Sequence, residues 1–249
     1  MKITIVTVVY NDKDGLEFTI LSVLNQTYNN LEYIIIDGGS TDGTVDVIRK
    51  YEKHLAYWCS EPDGGIYDAM NKGIGKATGD WICFINTKDC FADSNVLERL
   101  RDVFCGDADV IVGNTLMKDH HQLREFVAKK NRNISSRNVT SMGFYHQSSF
   151  VRTELARKNP FQTKYKLAAD FGMFYQLHKN NYVFQYVEFP ISYFDATGVS
   201  SNNIYLGKLE TFSIVHPNCP VMNMVRAFLV TQLLRLRLFV DNHIFKVIK

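Results

Sequence analysis

Several features that would assign a class of protein are missing from this sequence of 249 residues. Its five cysteines form an odd set without C-x-x-C spacing, which argues against a disulfide framework and against a zinc site. The formal net charge of +2 is too small to indicate nucleic acid as the main partner. No G-x-G-x-x-G segment follows a strand, which disfavours a dehydrogenase. We therefore expect a cytoplasmic protein with reduced thiols and a different chemistry.

Long apolar runs are also missing. The N-terminal segment "MKITIVTVVYND" alternates β-branched residues and lacks the features of a signal peptide, so it predicts a first strand. The run from Met224 to Val240 is interrupted by Arg226, Arg235 and Arg237. Its apolar residues contribute roughly −5 kcal/mol to insertion against about +9 for the arginines, so we expect no membrane span. Two interpretations remain: a helix packed on the protein or on a second copy, and, preferred, a helix in the membrane interface.

The remaining sequence alternates strand-like and helix-like segments, which predicts a parallel sheet with helices on both faces. The predicted strands are Lys2–Val9, Leu31–Asp37, Ala56–Ser60, Trp81–Asn86 and Ala108–Asn114. The predicted helices are Lys13–Gln26, Thr44–Lys53, Ile66–Lys76, Asn95–Phe104 and Lys166–Asn180, and the predicted later strands are Phe144–Arg152 and Tyr182–Asp195, the last interrupted by Pro190. The basic stretch 118–137 is either a solvated loop or a mobile loop that meets an anionic group.

Polar segments follow the first four strands: "YND", "DGGSTDGT", "EPDGGIYDAMNKG" and "NTKD". Asp, Asn and Gly are also what turns and helix caps use. Four such loops at one edge of a sheet nevertheless favour a site for a polar ligand. In the second loop Asp37 precedes two glycines, which would let the backbone approach a planar ligand while Asp37 accepts hydrogen bonds from a base or a ribose.

Longer segments resemble a known family: "TVVYND", "SVLNQTYNNLEYIIIDGGSTDGT", "SEPDGGIYDAMNKGIGKATGDWICFIN", and "HQSSF" followed by "LAADF". Together they resemble the family 2 glycosyltransferases of bacterial surface polysaccharide assembly, most closely the colanic-acid type. The resemblance implies the α/β GT-A fold, a Rossmann-like mixed sheet flanked by helices. It also implies a UDP-, GDP- or dTDP-linked sugar donor, inversion at the anomeric carbon, and a divalent cation, Mg²⁺ or Mn²⁺.

The resemblance divides the chain at residue 200. Residues 1–200 would form the catalytic domain, with a nucleotide-sugar-binding half at 1–114 and an acceptor-side half at 115–200. Residues 201–249 would form a C-terminal helical segment that contacts the membrane interface or a second copy.

The resemblance also assigns the loop "NTKD". Asp89 matches the acid that binds the metal, and Lys88 stands where many relatives have Asp or Gly. Lys88 would either pair with a donor phosphate or turn to solvent, and for Asp89 a turn or cap role is the alternative. Asp170 in "LAAD" matches the catalytic base that takes the acceptor's proton, with simple helix capping as its alternative.

Further donor contacts are implied for the backbone near Thr7 and Val9, and for Asp37 on the base. Asp68 and Lys72 would lie around the donor, on one face of a helix. His146 and Gln147 would touch the metal, the diphosphate or the acceptor, and a structural role is the alternative for His146.

The predicted reaction is the transfer of one sugar from a nucleotide-sugar to a lipid-linked oligosaccharide. The Q-x-x-R-W element of processive members is absent, since "QSSFVR" does not match it. The protein would be cytoplasmic, in peripheral contact with the inner membrane, and a homo-oligomer is compatible with the sequence. A catalytically inactive partner of another transferase is the alternative, and a sugar-phosphate nucleotidyltransferase ranks lower.

Overall fold

The first third of the chain alternates strands and helices as the sequence predicts. The computed structural model describes residues 1–119, 122–129, 141–195 and 203–243. Every residue of the first strand is buried, as is typical of a parallel strand covered on both faces. The elements are β1 (Ile3–Val9), α1 (Lys13–Leu24), β2 (Leu31–Asp37), α2 (Thr44–Tyr51), β3 (Tyr57–Ser60), α3 (Ile66–Lys76) and β4 (Trp81–Phe84).

The remainder of the chain adds strands of both directions and three longer helices. The helix predicted at Asn95–Phe104 is divided at Leu100 into two short helices. The elements are β5 (Cys90–Phe91), α4 (Val96–Arg99), α5 (Arg101–Phe104), β6 (Val110–Asp119), β7 (Gln122–Phe126), β8 (Ser149–Arg152), α6 (Thr153–Lys158), α7 (Ala169–Lys179), β9 (Phe184–Asp195), α8 (Ile204–Val215) and α9 (Pro220–His243).

Two later segments differ from the prediction. β6 continues beyond Asn114 and pairs with β7, so residues 118–119 and 122–126 of the expected loop lie in paired strands. Residues 120–121 and 130–137 lie outside the described residues. Residues 118–126 are mostly polar, so the alternation of apolar and polar side chains that indicates a strand is not visible in the sequence. β9 runs through Pro190 without a break, but its register against β6 shifts on both sides of the pair Asn114↔Pro190. The shift accommodates a residue that cannot donate to the ladder.

Within the described residues, nine strands form one mixed sheet in the order β3-β2-β1-β4-β8-β6-β9-β5, with β7 paired to β6. The four strands β3, β2, β1 and β4 are parallel. β8 is antiparallel to β4 and β6, and β5 is antiparallel to β9. The mixed α/β sheet confirms the predicted fold class. Because parallel strands end at one edge, the polar loops after β1, β2, β3 and β4 gather there.

Apolar residues fill both faces of this sheet. One cluster lies under α3, α6 and α7, and the other lies under α1, α4 and α5. Helix α3 approaches β1 closely at Gly73, where an added Cβ would stand 2.5 Å from Cγ1 of Val6. The absence of a side chain at Gly73 therefore lets α3 pack tightly on β1.

The helix α8 is tied to the start of α7 by Glu210, a buried residue. Its carboxylate accepts hydrogen bonds from the backbone N–H groups of Lys166 and Leu167 at 2.8 Å and of Ala168 at 3.0 Å. The division of the chain at residue 200 stays a prediction, but α8 packs against the unit that precedes it. Of the helices in the described part of the chain, none has the length and apolar character needed to cross a bilayer.

Candidate active site

The carboxylate of Asp37, at the end of β2, is fully buried and accepts hydrogen bonds from neighbouring protein groups. Its Oδ2 accepts hydrogen bonds from the N–H groups of Gly39 and Ser40 at 3.2 and 2.9 Å and from the hydroxyl of Ser60 at 2.5 Å. Its Oδ1 accepts a further bond from the Ser40 hydroxyl. Asp37 thus shapes the loop after β2, and its predicted contact with a base or ribose would compete with these four donors.

Thr7 and Val9 lie inside the sheet. Thr7 has no exposed surface, and its hydroxyl donates to the carbonyl oxygen of Ile85 at 2.7 Å. The carbonyl oxygen of Val9 accepts the N–H of Gly38 at 2.9 Å. Donor binding by this backbone stays a prediction, and the burial of Thr7 argues against a direct contact.

Asp68 and Lys72 lie in the first turns of α3, as predicted. Asp68 accepts the N–H of Gly64 at 3.0 Å, and Lys72 forms an ion pair of 2.8 Å with Glu61. The hydrogen bond to Glu61 raises the pKa of Lys72, so Lys72 remains charged at neutral pH. Both side chains thus organise the loop after β3, and their predicted donor contacts remain untested.

The loop after β4 presents Asp89 inward and Lys88 outward. Lys88 adopts φ +70°, a left-handed conformation that favours glycine. Its ammonium group lies 3.7 Å from Oδ2 of Asp12, and its side chain is more than half exposed. Asp89 is buried, and no helix begins at it, so the alternative role as a helix cap does not apply. The loop therefore aims one carboxylate into the site.

Gln147 holds this carboxylate through a hydrogen bond of 3.0 Å from its Nε2 to Oδ2 of Asp89. Because an ionised carboxylate only accepts, the bond fixes the orientation of the Gln147 amide. Its Oε1 is buried and has no hydrogen-bond partner, and the same is true of Oδ1 of Asn86 in the same loop. A buried acceptor without a donor costs about 1–3 kcal/mol, and either a water or a cation would satisfy these two oxygens.

A divalent cation fits this donor set. Mg²⁺ and Mn²⁺ prefer oxygen ligands and commonly use one or two carboxylates together with substrate phosphate and water. Asp89, Gln147 and Asn86 offer such oxygens. Among the residues that the structure describes, no group of three or more His, Cys, Asp or Glu side chains is placed to hold a metal. A cation here would therefore depend on amide oxygens and on the diphosphate of a donor.

Asp170 lies in the first turn of α7, as predicted, and is held from two sides. Its Oδ2 lies 3.2 Å from Nδ1 of His146, and its Oδ1 accepts a bond of 3.1 Å from the Tyr67 hydroxyl. Burial alone would raise the pKa of Asp170. The hydrogen bond and charge of His146, together with bonds from the Phe171 N–H and Tyr67, outweigh burial and hold that pKa below its usual value. Asp170 is therefore an anion at neutral pH.

His146 connects Asp170 to the loop of Asp89. Its Nε2 lies 3.3 Å from Nδ2 of Asn86, while its Nδ1 faces Asp170. Since Asp170 only accepts, Nδ1 carries a proton, and in the neutral ring Nε2 then accepts from Asn86. His146 and Gln147 are consecutive, so one short 3₁₀ turn contacts both predicted acids.

A pocket of about 320 Å³ opens beside Asp170. It lies between α7, α8 and the segment before β8, and most of its wall is apolar. Asp170, His146 and Lys208 are among its ionisable groups, with Phe171 and Phe174 on the wall. A carboxylate anion beside an open pocket is an arrangement suited to deprotonating a bound hydroxyl group.

The sequence did not single out three residues that the structure places here. Tyr67 and Asn86 both lie in the polar segments that follow β3 and β4, but their partners are far along the chain: Tyr67 contacts Asp170 and Asn86 contacts His146. Lys208 gave no signal, because it stands alone in a helical segment. Asn71, on the face predicted for Asp68 and Lys72, instead bonds the backbone of Phe161 in both directions.

The chain is similar to known proteins in sequence. The family model described as glycosyl transferase family 2 matches residues 4–179. An uncharacterized glycosyltransferase of Mycobacterium tuberculosis strain H37Rv is 42% identical over 109 residues, and the match covers 43% of this chain and 42% of that protein. The chain thus matches less than half the length of that relative. A PGL/p-HBAD biosynthesis glycosyltransferase of Mycobacterium bovis strain BCG is 28% identical over 191 residues, or 74% of this chain and 72% of that protein.

Solved structures share the fold. The structure of S. aureus TarS 1-349 in complex with UDP matches with a TM-score of 0.67 at 18% identity, covering 88% of this chain and 66% of that chain. The mannosyltransferase PcManGT from Pyrobaculum calidifontis, in complex with GDP-Man and Mn²⁺, matches with a TM-score of 0.65 at 16% identity, covering 91% and 68%. At these identities the likeness establishes the GT-A fold. The resemblance to the colanic-acid type remains a prediction.

Proposed function

Because the chain belongs to glycosyl transferase family 2, we propose that this glycosyltransferase moves one sugar from a nucleotide-sugar to a lipid-linked glycan with inversion. The observation that supports this most directly is Asp170: it is an anion, it is fixed by His146 and Tyr67, and it lines an open pocket. A base on the acceptor side that does not form a covalent intermediate is what an inverting displacement requires. TarS and PcManGT, which share the fold, were solved with nucleotides or nucleotide-sugars.

The residues divide the reaction between two neighbouring places. Asp170 accepts the proton of the attacking hydroxyl, and Tyr67 and His146 hold its carboxylate in position. Asp89, oriented by Gln147, faces the place proposed for the donor diphosphate. When bound, Mg²⁺ or Mn²⁺ would neutralise the charge of the departing nucleoside diphosphate. Lys88 pairs with Asp12 at the rim, so we assign it no direct phosphate contact.

The first experiment measures nucleotide release from UDP-, GDP- and dTDP-sugars with Mg²⁺, Mn²⁺ or EDTA. We expect activity with one nucleotide, lost with EDTA, and reduced about 100- to 10,000-fold in Asp170→Asn, because a general base contributes that much. Asp89→Ala should weaken Mn²⁺ binding in the presence of nucleotide, as read by electron paramagnetic resonance. Asp46→Asn is the matched control, since its side chain is 80% exposed on α2.

An inactive partner of another transferase is the second candidate. The position of Lys88 favours it, since this cation stands beside Asp89 where many relatives have Asp or Gly. The same experiment separates the two. Nucleotide binding by calorimetry without release or transfer would support the inactive partner. Metal-dependent release that Asp170→Asn abolishes would exclude it.

We further propose that α9 rests on an anionic membrane surface. One side of the helix exposes seven apolar residues: Val221, Met222, Met224, Val225, Phe228, Leu229 and Leu233. Between residues 220 and 240 the only charged residues are three arginines, which suits anionic headgroups rather than a second copy of the same basic helix. This contact would place the enzyme at the cytoplasmic face of the inner membrane.

Sedimentation with phosphatidylglycerol vesicles tests the membrane contact. The double variant Phe228→Ser, Leu229→Ser should no longer bind the vesicles. Val183→Ser should still bind them, because Val183 is 54% exposed but lies outside α9. Phosphatidylcholine vesicles should bind weakly because they lack the anionic charge. A dimer that dissociates in the double variant, with no vesicle binding by the wild type, would instead assign the helix face to a homo-oligomer.

A further inference from the structure

A second pocket, of about 340 Å³, lies at the edge of the sheet opposite to the candidate active site. Polar side chains make up most of its lining, which consists of Gly79, Asp80, Arg152, Thr153, Glu154 and Arg157. Asp80 directly precedes β4, and Arg152 ends β8, which runs antiparallel to β4. Asp89, in contrast, lies in the loop after β4. The pocket is therefore separate from the residues proposed for sugar transfer.

Two guanidinium groups give the pocket a cationic side. Nε and Nη2 of Arg152 donate to backbone carbonyl oxygens at 3.0 and 2.8 Å, and its Cζ lies 4.3 Å from the centroid of the Trp81 ring. Nη2 of Arg157 donates to the carbonyl oxygen of Ala77. In the part of the chain that the structure describes, neither group forms an ion pair with a carboxylate. Since a guanidinium has five N–H donors, both groups retain donors for a ligand.

Thr153 adds a buried hydroxyl group to the same pocket. Only 2% of the residue is exposed, and its Oγ1 forms no hydrogen bond with the described residues. Its backbone N–H donates to the carbonyl oxygen of Asp80 at 3.0 Å, which ties the start of α6 to the residue before β4. A buried hydroxyl without a partner is destabilising, and an oxygen atom of a ligand or of a water in the pocket would satisfy it.

Two carboxylates line the pocket as well. Oδ2 of Asp80 accepts the backbone N–H of Lys2 at 2.7 Å, and Glu154, whose side chain is 70% exposed, lies 3.9 Å from the ammonium group of Lys158. These acids would repel a bare anion that filled the pocket. They would, however, accept hydrogen bonds from the hydroxyl groups of a larger ligand. The lining therefore favours a ligand that has one anionic end and several hydroxyl groups.

We propose that this pocket binds a phosphorylated sugar or polyol. Its phosphate would lie between Arg152 and Arg157 and accept the hydroxyl of Thr153, because planar guanidinium groups match the oxygens of a phosphate. Its hydroxyl groups would face Asp80 and Glu154. The volume suits one such molecule, since ligand pockets span about 300–1,000 Å³. The proposal does not depend on the proposed transferase function.

Calorimetric titration with glucose 6-phosphate, inorganic phosphate and glucose tests this proposal. We expect glucose 6-phosphate to bind the wild type more tightly than inorganic phosphate does, and glucose not to bind. Arg157→Gln should weaken the binding of glucose 6-phosphate about 10- to 100-fold, the range for a lost hydrogen bond to a charged group. Arg49→Gln is the matched control, because Arg49 is 63% exposed on α2 and does not line the pocket.

Thr153→Val distinguishes a ligand contact from a structural role. The substitution keeps the shape of the side chain and removes a hydroxyl without a partner, so the free energy of unfolding should not fall. The affinity for glucose 6-phosphate should nevertheless fall about 10-fold, because a hydrogen bond to the phosphate is lost. Asp89→Ala should leave this affinity unchanged, since Asp89 lies beyond the other end of β4.

Three results would contradict the proposal. The wild type would bind neither phosphate compound, glucose 6-phosphate would bind the wild type, Arg157→Gln and Thr153→Val equally, or Asp89→Ala would abolish its binding. If inorganic phosphate bound as tightly as glucose 6-phosphate, the ligand would be a simple oxyanion and the role given to the hydroxyl groups would be wrong. These titrations contain no donor and no acceptor, so a failure of the proposed transfer reaction would not change their interpretation.

Discussion

Glu210→Gln, which replaces a single buried acid, should lower the free energy of unfolding. The carboxylate of Glu210 accepts three backbone N–H groups just before α7. A glutamine amide has only one acceptor oxygen, so at least one N–H would face an NH₂ group, at a cost of about 1–3 kcal/mol. The other two bonds lose charge assistance, at roughly 1 kcal/mol each. The expected loss in the free energy of unfolding is therefore about 3–5 kcal/mol, or roughly 6–20 °C in Tm.

Urea unfolding followed by circular dichroism measures this loss. Glu154→Gln is the matched control, because its side chain is 70% exposed and lies 3.9 Å from Lys158, a surface pair worth at most about 1 kcal/mol. If Glu210→Gln unfolded at the same urea concentration as Glu154→Gln, the three N–H groups would have found other acceptors and the assigned role of Glu210 would be refuted.

Three further predictions concern the loop after β4, the base and the sheet. Lys88→Gly should be more stable than Lys88→Ala by about 1 kcal/mol in urea unfolding, because only glycine relaxes at φ +70°; equal stabilities would contradict this. His146→Ala should shift the acid limb of the pH profile of kcat/KM to higher pH. Without His146 fewer groups oppose the effect of burial, so the pKa of Asp170 rises and the proposed base is protonated at a higher pH. An acid limb that does not move would assign the base to another residue. Gly73→Ala should cost about 1–3 kcal/mol of unfolding free energy, since its Cβ would overlap Val6 at 2.5 Å, and a stability equal to the wild type would show that α3 can shift.

The sequence predicts the parallel half of the sheet well because buried strands and amphipathic helices alternate there with clear periods. The hairpin β6–β7 was missed because residues 118–126 are mostly polar and show no regular alternation of apolar and polar side chains. For the site, the sequence predicts that four loops gather at one edge of the sheet, but it does not predict which side chains contact each other. The hydrogen bonds of Asp37 follow from a local turn that the "DGGS" sequence itself indicates. In contrast, the pairs Gln147–Asp89 and Tyr67–Asp170 join residues 58 and 103 positions apart, and only the folded sheet brings them together.

The pairing of β5 with β9 has a consequence for the order in which the protein is made. Asp89 is anchored on one side by β4 and on the other by β5, whose partners in β9 are Tyr193 and Ser192. A ribosome adding about 5–20 residues per second needs roughly 5–20 s to proceed from the first of these segments to the last. During that interval a nascent chain can complete the parallel strands while Asp89 still lacks its second anchor. We therefore expect ribosome-bound chains to acquire activity only after β9 has emerged and paired.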